Sequence, residues 1–469
     1  MMRTLSLALR NLLRNRRRSL TTLLAVMIGT ISILMFGGYV RNINYGLESQ
    51  FVSQSGHLQI QHKDYFLFGD GNPVAYGIAD YERIMSTLKA DPVLSPLLAV
   101  VTPVLQLGGV AGNFSAGVSR TVMGSGMVAE DQNRLRLWND YDFPQVLSPL
   151  ALAGTPPDSA VIGTGVARVL QLCGPLKVSN CADAVPVPDA PLATAVPATD
   201  APDDIAALSA QEAPLAAATS GTQIELLAPT PRGAPNVAQL KVVKAEEQGV
   251  KALDDIFIAL HLPQAQRLVY GTGTPKVTAI IVQLRHTADL PLAQAHLTQL
   301  LRQTYPDKPL AVLPFDLLNP FYGQSIKMFD IIFGFISALI GSIVLFLLSN
   351  TMSMTVAERT VEIGTLRAIG LRRNGIRNLF VCEGMLLGLI GAILGIVLAL
   401  LISFVINQSG LTWVPPGSMT QVPLTVRVAG EYRLVLASAI GLMAVATLSA
   451  WWPARRAARM NIVDALRHV

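Results

Sequence analysis

The chain has 469 residues, of which 51% are hydrophobic and only 14% are charged, well below the charged quarter of a typical soluble domain. A membrane protein is therefore the first class to consider. The net charge of +5 does not indicate a nucleic-acid partner, because it sums separate basic and mildly acidic regions.

Four uncharged runs are long enough to cross a hydrocarbon core, which takes about 20 apolar residues. They cover residues 19–40, 331–357, 384–406 and 434–454, and we predict transmembrane helices over 19–40, 328–357, 379–406 and 434–454. The first run follows a basic N-terminus, as a cleavable signal peptide does. It is longer than a signal core and has no small-residue cleavage motif, so we predict an uncleaved anchor.

Basic residues cluster at three places: before residue 19, between the second and third runs, and after the fourth. Because basic loops stay cytoplasmic, both termini are predicted inside a plasma (inner) membrane, with a cytoplasmic loop at 358–378 and a tail at 455–469. Residues 41–327 and a loop at 407–433 then lie outside. The basic inner face suits anionic membrane lipid.

Residues 1–18 place leucines at helical spacing among arginines, which predicts an amphipathic helix at the membrane surface; a disordered basic tail is the alternative. Beyond the first span, Ile43, Leu47 and Phe51 keep the helical period, so the helix is predicted to continue as a stalk to about Ser55. A second stalk is predicted at 322–330, before the second span.

The outer region predicts a large mixed α+β domain between the first two spans. Candidate strands lie at 57–62, 99–107, 120–124, 161–163, 223–227, 238–243, 255–260 and 277–284, and candidate helices at 79–90, 166–170, 262–269 and 291–304. Glycine-rich turns are predicted after 99–107. Residues 183–220 are almost entirely Ala, Pro, Asp, Thr and Ser, a composition that predicts a flexible insertion.

Three cysteines are too few for a disulfide scaffold. Cys173 and Cys181 are close together in the region placed outside, where thiols oxidise, so the pair can form a small disulfide loop or remain as two thiols. Cys382 is interpreted as a small apolar residue at the inner end of the third span.

Catalytic signatures are absent from the sequence: it contains no G-x-S-x-G, H-E-x-x-H, C-x-x-C or Walker motif. His57 and His62 have strand spacing that points them to opposite faces, which argues against a metal pair. We therefore expect a non-catalytic chain with no metal or cofactor of its own, whose ATP-hydrolysing motor, if one exists, is a separate subunit.

The predicted inner loop carries a charged amphipathic helix at 357–370, which is broken at Gly370. Its apolar residues include Val361, Ile363, Leu366 and Ile369. A solvated hairpin is the simplest interpretation. So short a loop has no domain of its own against which to bury these side chains, and this favours a docking surface for a cytoplasmic partner.

The sequence here resembles the FtsX/MacB/LolC-like permeases of ABC transporters. Residues 358–370 match that family's E-R-x-x-E-I-G-x-L-[RK]-A-[IL]-G segment, and residues 453–459 with 464–467 match its C-terminal motif, with Ile462 where proline is usual. Residues 55–60, 161–163 and 255–268 resemble the MacB-like periplasmic domain more loosely, and the insertion departs from it.

The resemblance implies no enzyme activity in this chain, a separate ABC-type ATPase that binds ATP and Mg²⁺, and a dimer with a second, identical or different, permease. It also implies that the ATPase couples through the following residues: Glu358, Arg359, Glu362, Ile363, Gly364, Leu366, Arg367, Ile369 and Gly370. The likeness is greatest to permeases that release lipoproteins, with a periplasmic carrier or adaptor as a further partner. Efflux of a drug or peptide, and signalling to an extracytoplasmic enzyme, are the alternatives.

Two features of the third span are left with open interpretations. Small residues four apart, Gly384 and Gly388, then Gly391 and Gly395, allow helix backbones to approach closely in lipid, either within this chain or between two permeases. Glu383 lies near the helix N-terminus, where the macrodipole favours its charge, and is either an anchor or a coupling residue.

Overall fold

A computed structural model describes residues 7–8, 10–12, 14, 16–69, 71–142, 149–179, 181, 221–414 and 421–460. The predicted insertion at 183–220 and the end of the C-terminal motif lie outside the described residues. The chain divides into two compact units. The helical unit comprises Met1–Leu47, Phe321–Trp413 and Pro423–Val469, and the sheet unit comprises Glu48–Pro320 and Val414–Val422.

The described helices alternate with strands in the sheet unit and follow one another in the helical unit. The helices are α1 (Arg16–Ser55), α2 (Tyr65–Phe68), α3 (Tyr81–Ala90), α4 (Ala129–Arg136), α5 (Thr164–Val169), α6 (Cys173–Leu176), α7 (Lys251–Asp254), α8 (Leu262–Tyr270), α9 (Leu290–Thr304), α10 (Phe315–Leu318), α11 (Pro320–Glu358), α12 (Thr360–Ala368), α13 (Arg373–Gln408) and α14 (Tyr432–Arg459). The strands are β1 (Leu58–His62), β2 (Leu98–Asn113), β3 (Val118–Met127), β4 (Ser159–Gly163), β5 (Gln223–Pro229), β6 (Pro235–Glu246), β7 (Phe257–His261), β8 (Ala279–Leu284), β9 (Leu310–Pro314), β10 (Thr412–Trp413) and β11 (Val422–Pro423).

Four helices, α1, α11, α13 and α14, are long and apolar enough to cross a membrane, which confirms the predicted fold class. Each extends past the predicted span, because hydropathy marks the part of a helix that suits lipid and not where the backbone stops being helical. The helix α1 ends at Ser55, where the stalk was predicted to end. The helix α14 continues through Pro453 to Arg459, into the predicted tail.

The sheet unit is built on a nine-stranded sheet in the order β3-β7-β4-β6-β5-β2-β8-β1-β9, with a further pairing between β3 and β2. Six strands therefore close into a ring, and β8, β1 and β9 extend from β2. The β3–β7 and β4–β6 pairs are parallel. Sequence patterns place strands but not their partners, so this ring was not predicted.

Helices α3, α8 and α9 pack apolar side chains, such as Ile84, Leu268 and Leu297, into the core of the sheet unit. The helix α8 shows local signals that match its bounds. A proline stands in its first turn, and Gly271 follows its end at φ +59°, a conformation that favours glycine. Both signals are readable from sequence.

The predicted glycine-rich turn after residue 107 is wrong. The strand β2 runs on through Gly108 and Gly109 to Asn113 and pairs with β3 along this whole stretch. A Cβ atom at Gly109 would lie 2.5 Å from the Leu227 carbonyl oxygen. Glycine here allows a neighbouring strand to approach, and does not form a turn.

Cys173, the first residue of α6, is joined to Cys181 in a disulfide. Cys382 is free and partly buried in α13.

Candidate functional site: the segment between the second and third long helices

The segment between α11 and α13 is a short helix between two breaks. The helix α11 ends at Glu358, and Arg359 leaves helical geometry with φ −97° and ψ 17° before α12 begins. After α12, Gly370 takes φ +103°, a value that favours glycine. The predicted single helix over 357–370 is therefore two helical pieces, and the predicted break at Gly370 is present.

One face of α12 is buried against the rest of the helical unit. Ile363 is 3% exposed. It belongs to an apolar cluster with the following residues: Val356, Ile376, Phe380, Ala454 and Ala457. Gly364, beside it, is also buried. This face holds α12 to three other helices, so it is closed to a partner.

Arg359, at the junction of α11 and α12, is 7% exposed and pairs with two carboxylates. Its Nη1 lies 3.2 Å from Glu383 Oε1, and its Nε lies 3.3 Å from Glu362 Oε2. Asn11 Nδ2 donates to the same Glu383 oxygen at 2.7 Å, and Arg14 pairs with Glu362. The cluster thus compensates a guanidinium and a carboxylate that are both withdrawn from solvent.

Arg367, near the end of α12, donates a hydrogen bond to the Met460 carbonyl oxygen just beyond α14. A basic residue near a helix C-terminus interacts favourably with the negative end of the helix macrodipole. The hydrogen bond of Arg367 also connects α12 to a second helix. Arg367 is half-buried, so much of it is not available to a partner.

The other face of α12 and the turn after it are exposed and largely apolar. Ile369 is 80% exposed and Leu366 is 40% exposed. Val361 and Leu371 are exposed as well, and the carboxylates of Glu358 and Glu362 lie beside them at the surface. We call Glu358, Val361, Glu362, Leu366, Ile369 and Leu371 the outer face of α12. Grouped apolar exposure of this kind marks interaction sites.

Eight of the nine residues predicted to couple to a motor separate into two sets, and the ninth, Arg367, is half-buried. Arg359, Ile363 and Gly364 face inward, which differs from the prediction that they contact a partner. Glu358, Glu362, Leu366, Ile369 and Gly370 are exposed. Asn11 and Arg14 were not predicted to belong to this site, although their spacing of three puts both side chains on one face of a helix.

The four glycines of α13 pack against helices of the same chain. A Cβ atom at Gly384 would lie 2.5 Å from Ala450 Cβ, and one at Gly388 would lie 2.8 Å from Ala446 Cβ, both in α14. Gly391 and Gly395 instead approach α1, where their Cβ atoms would meet Val26 and Thr30. Of the two interpretations left open, these glycines fit contacts within the chain.

Among the described residues, no group of three or more His, Cys, Asp or Glu side chains is placed to hold a metal ion.

The FtsX-like permease C-terminal family matches residues 332–462, a range that includes the whole of α12, Arg359 and Glu383. An uncharacterised ABC transporter permease of Methanocaldococcus jannaschii is 28% identical over 232 residues, which are 49% of this chain and 55% of that protein. Residues 332–462 of this chain thus resemble the C-terminal part of FtsX-like permeases.

Two further relatives of this chain have more informative names. The ABC transporter permease YtrF of Bacillus subtilis is 33% identical over 29% of this chain and 30% of its own length. The macrolide export ATP-binding/permease protein MacB of Escherichia coli is 28% identical over 45% of this chain and 30% of its own length. The chain thus spans about half, or less, of the curated relatives that it matches.

Among solved structures, the periplasmic region of MacB from Actinobacillus actinomycetemcomitans aligns with 59% of this chain and 95% of its own, at 12% identity. The TM-score of 0.31 is below the range that indicates a shared fold.

Proposed function

We propose that this chain is the permease subunit of an ABC transporter, and that a separate ATPase subunit binds the outer face of α12. The observation that carries the proposal is the division of α12 into an anchored face and an exposed apolar one. Movement of a bound motor would be passed to the bundle through the anchored face. ATP and Mg²⁺ would be bound by the motor and not by this chain.

The charge pattern supports the side of the membrane on which this docking would occur. Arg372, Arg373 and Arg377 follow the outer face in the sequence, and basic loops remain cytoplasmic. Both termini would then lie in the cytoplasm and the sheet unit outside it. An ATPase supplied from the cytoplasm would meet α12 on its own side of the membrane.

The length of two helices supports mechanical work on the far side. The helices α1 and α11 have 40 and 39 residues, so each is roughly 60 Å long at 1.5 Å per residue, about twice the hydrocarbon thickness. The helix α1 ends three residues before β1, and α11 begins two residues after α10. Two continuous helices therefore lead from the membrane-spanning runs into the sheet unit, as mechanical transmission requires.

For the substrate we propose a lipid-modified protein or lipid taken from the outer leaflet, supported by the likeness of residues 55–60 to lipoprotein-releasing permeases. Four spans per chain give little room for a polar channel, which also favours work at the outer surface. Macrolide export is the second candidate, favoured by the names of the MacB relatives. A second permease subunit, identical or different, and a periplasmic carrier or adaptor belong to either scheme.

The docking proposal is tested by purifying the tagged full chain from native membranes in mild detergent. An ABC-type ATPase is expected in the eluate, identified by mass spectrometry and by ATP hydrolysis. Ile369→Asp should reduce its recovery at least tenfold, because a carboxylate would replace the most exposed apolar side chain of the outer face.

Leu292→Asp is the matched control, since Leu292 is an exposed leucine on α9 of the sheet unit, and it should leave recovery of the ATPase unchanged. Full recovery of the ATPase with Ile369→Asp would refute docking at α12. Stimulation of hydrolysis by a lipoprotein, but not by a macrolide, would favour the first substrate, and the reverse result would favour the second.

A further inference from the structure

Glu383 is a buried charge in a helix that is otherwise uncharged over the apolar run that follows it. The residue is 2% exposed, and the next 25 positions of α13 contain no Asp, Glu, Lys or Arg. A charge withdrawn from both water and lipid headgroups is costly unless it is paired. The presence of a carboxylate at this buried position therefore needs an explanation besides packing.

The contacts of Glu383 form a closed chain of polar side chains. Its Oε1 accepts from Asn11 and from Arg359, at 2.7 Å and 3.2 Å. Arg359 continues to Glu362, and Glu362 pairs with Arg14. Asn11 and Arg14 are three residues apart on the N-terminal helical segment, so the series of polar contacts begins and ends on that segment. These contacts join the N-terminal segment to α12 and α13.

The position after Glu383 ties α13 to α14. A Cβ atom at Gly384 would lie 2.5 Å from Ala450 Cβ and 3.0 Å from the Ala446 carbonyl oxygen. Both neighbours are fixed to the α14 backbone, so the two helices cannot slide freely past each other at this level. A displacement that reaches Glu383 is thereby applied to both helices.

Stability alone does not require the pair, since a buried ion pair replaced as a whole by apolar side chains of similar volume is often neutral or stabilising. An anchor would serve equally well if it were apolar. Charged and hydrogen-bonded contacts, in contrast, fix direction and distance between the groups they join. Contacts of this kind suit residues that transmit a movement from one helix to another.

We propose that Glu383 is a positioning residue, which passes movement of α12 and of the N-terminal segment to α13 through Arg359 and Asn11. The inference rests on the proposed function, because it needs a motor docked on α12. The outer face of α12 shares Glu362 with this cluster but includes neither Glu383 nor Arg359. Substitutions confined to Arg359 and Glu383 therefore separate transmission from docking.

The test compares the full chain with the double variant Arg359→Met/Glu383→Met, copurified with the ATPase. Two spin labels are placed at Gln50 and Gln324, exposed positions on α1 and α11, in a Cys382→Ala background. The distance between the labels is measured without nucleotide and after trapping with ATP and vanadate. The unsubstituted chain is expected to show a nucleotide-dependent shift in distance.

The double variant should recover the ATPase at the level of the unsubstituted chain and hydrolyse ATP, yet lose the shift. Ser449→Ala, which removes a buried hydroxyl bonded only within α14, should keep both properties. Glu383→Met alone leaves Arg359 with one carboxylate fewer, and is expected to lower the yield of folded protein relative to the double variant.

A full shift in the double variant would overturn the positioning role. Loss of ATPase recovery in the double variant would also overturn it, because the cluster would then shape the docking surface. Failure of the unsubstituted chain to recover any ATPase would overturn the proposed function itself, and this outcome is visible before any distance is measured.

Discussion

A methyl group added at Gly395 would test the close contact between α13 and α1. In Gly395→Ala, the Cβ atom would lie 2.5 Å from Thr30 Cβ and 2.9 Å from the Met27 carbonyl oxygen. Both neighbouring atoms are fixed to the α1 backbone, so no rotamer change relieves the overlap. Overpacking typically costs about 1–3 kcal/mol, while alanine gains about 1 kcal/mol over glycine within a helix. We expect a net loss of up to about 2 kcal/mol.

Gly441, in α14, provides the matched control, because a Cβ atom there meets nothing within 4 Å. Gly441→Ala should therefore show only the helix-propensity gain, up to about 1 kcal/mol. The two variants are predicted to change stability in opposite directions.

The assay is thermal unfolding of the full chain in one detergent, followed by the loss of monodisperse protein in size-exclusion chromatography. Gly395→Ala should lower the midpoint temperature and Gly441→Ala should leave it unchanged or raise it. Equal shifts in the same direction would refute the reasoning, because they would show that the close approach at Gly395 does not restrict side-chain size.

Two further predictions concern the sheet unit and are measured by denaturant unfolding. Burial lowers the pKa of His57 to about 4. As pH falls below 6.5 the unfolded state therefore takes up a proton before the folded state does, and roughly 3 kcal/mol of stability is lost by pH 4. His57→Asn should remove this part of the pH dependence, because its amide oxygen can still accept from the Leu284 N–H, and an unchanged pH profile would contradict the prediction. Asp254 is fully buried and accepts from the Thr164 N–H at 2.9 Å and the Gly165 N–H at 2.7 Å, so Asp254→Asn, which turns a donor toward these donors, should cost about 2–4 kcal/mol. A loss below about 1 kcal/mol would show that these hydrogen bonds are easily replaced.

Elements with a strong local signal could be predicted from the sequence. Four apolar runs predict four long helices because lipid demands such runs, and the spacing of Ile43, Leu47 and Phe51 carries α1 to its observed end at Ser55. Pairings between distant strands have no comparable local signal. Gly108 and Gly109 have the composition of a turn, and only the approach of β5 to Gly109 shows why the strand needs a glycine at that position.

The glycines of α13 show a second limit on what sequence can predict. Their four-residue spacing predicts close helix contacts but does not identify the partner helix. The structure uses the first pair against α14 and the second against α1. The same glycine motif therefore forms two helix–helix interfaces. The spacing of the glycines does not reveal that the neighbouring helix changes along α13.

The segment at 358–370 explains why a motif match did not separate docking from anchoring. Helical spacing puts Arg359 and Ile363 on one face, and Glu362, Leu366 and Ile369 on another. Both faces mix charged and apolar residues, so hydrophobicity alone cannot decide which face is buried. The deciding contact comes from Glu383, 24 residues from Arg359. A lone carboxylate near the start of an apolar helix is a reason to search for a buried cation that pairs with it. Here that cation is Arg359, which lies on the buried face of the motif.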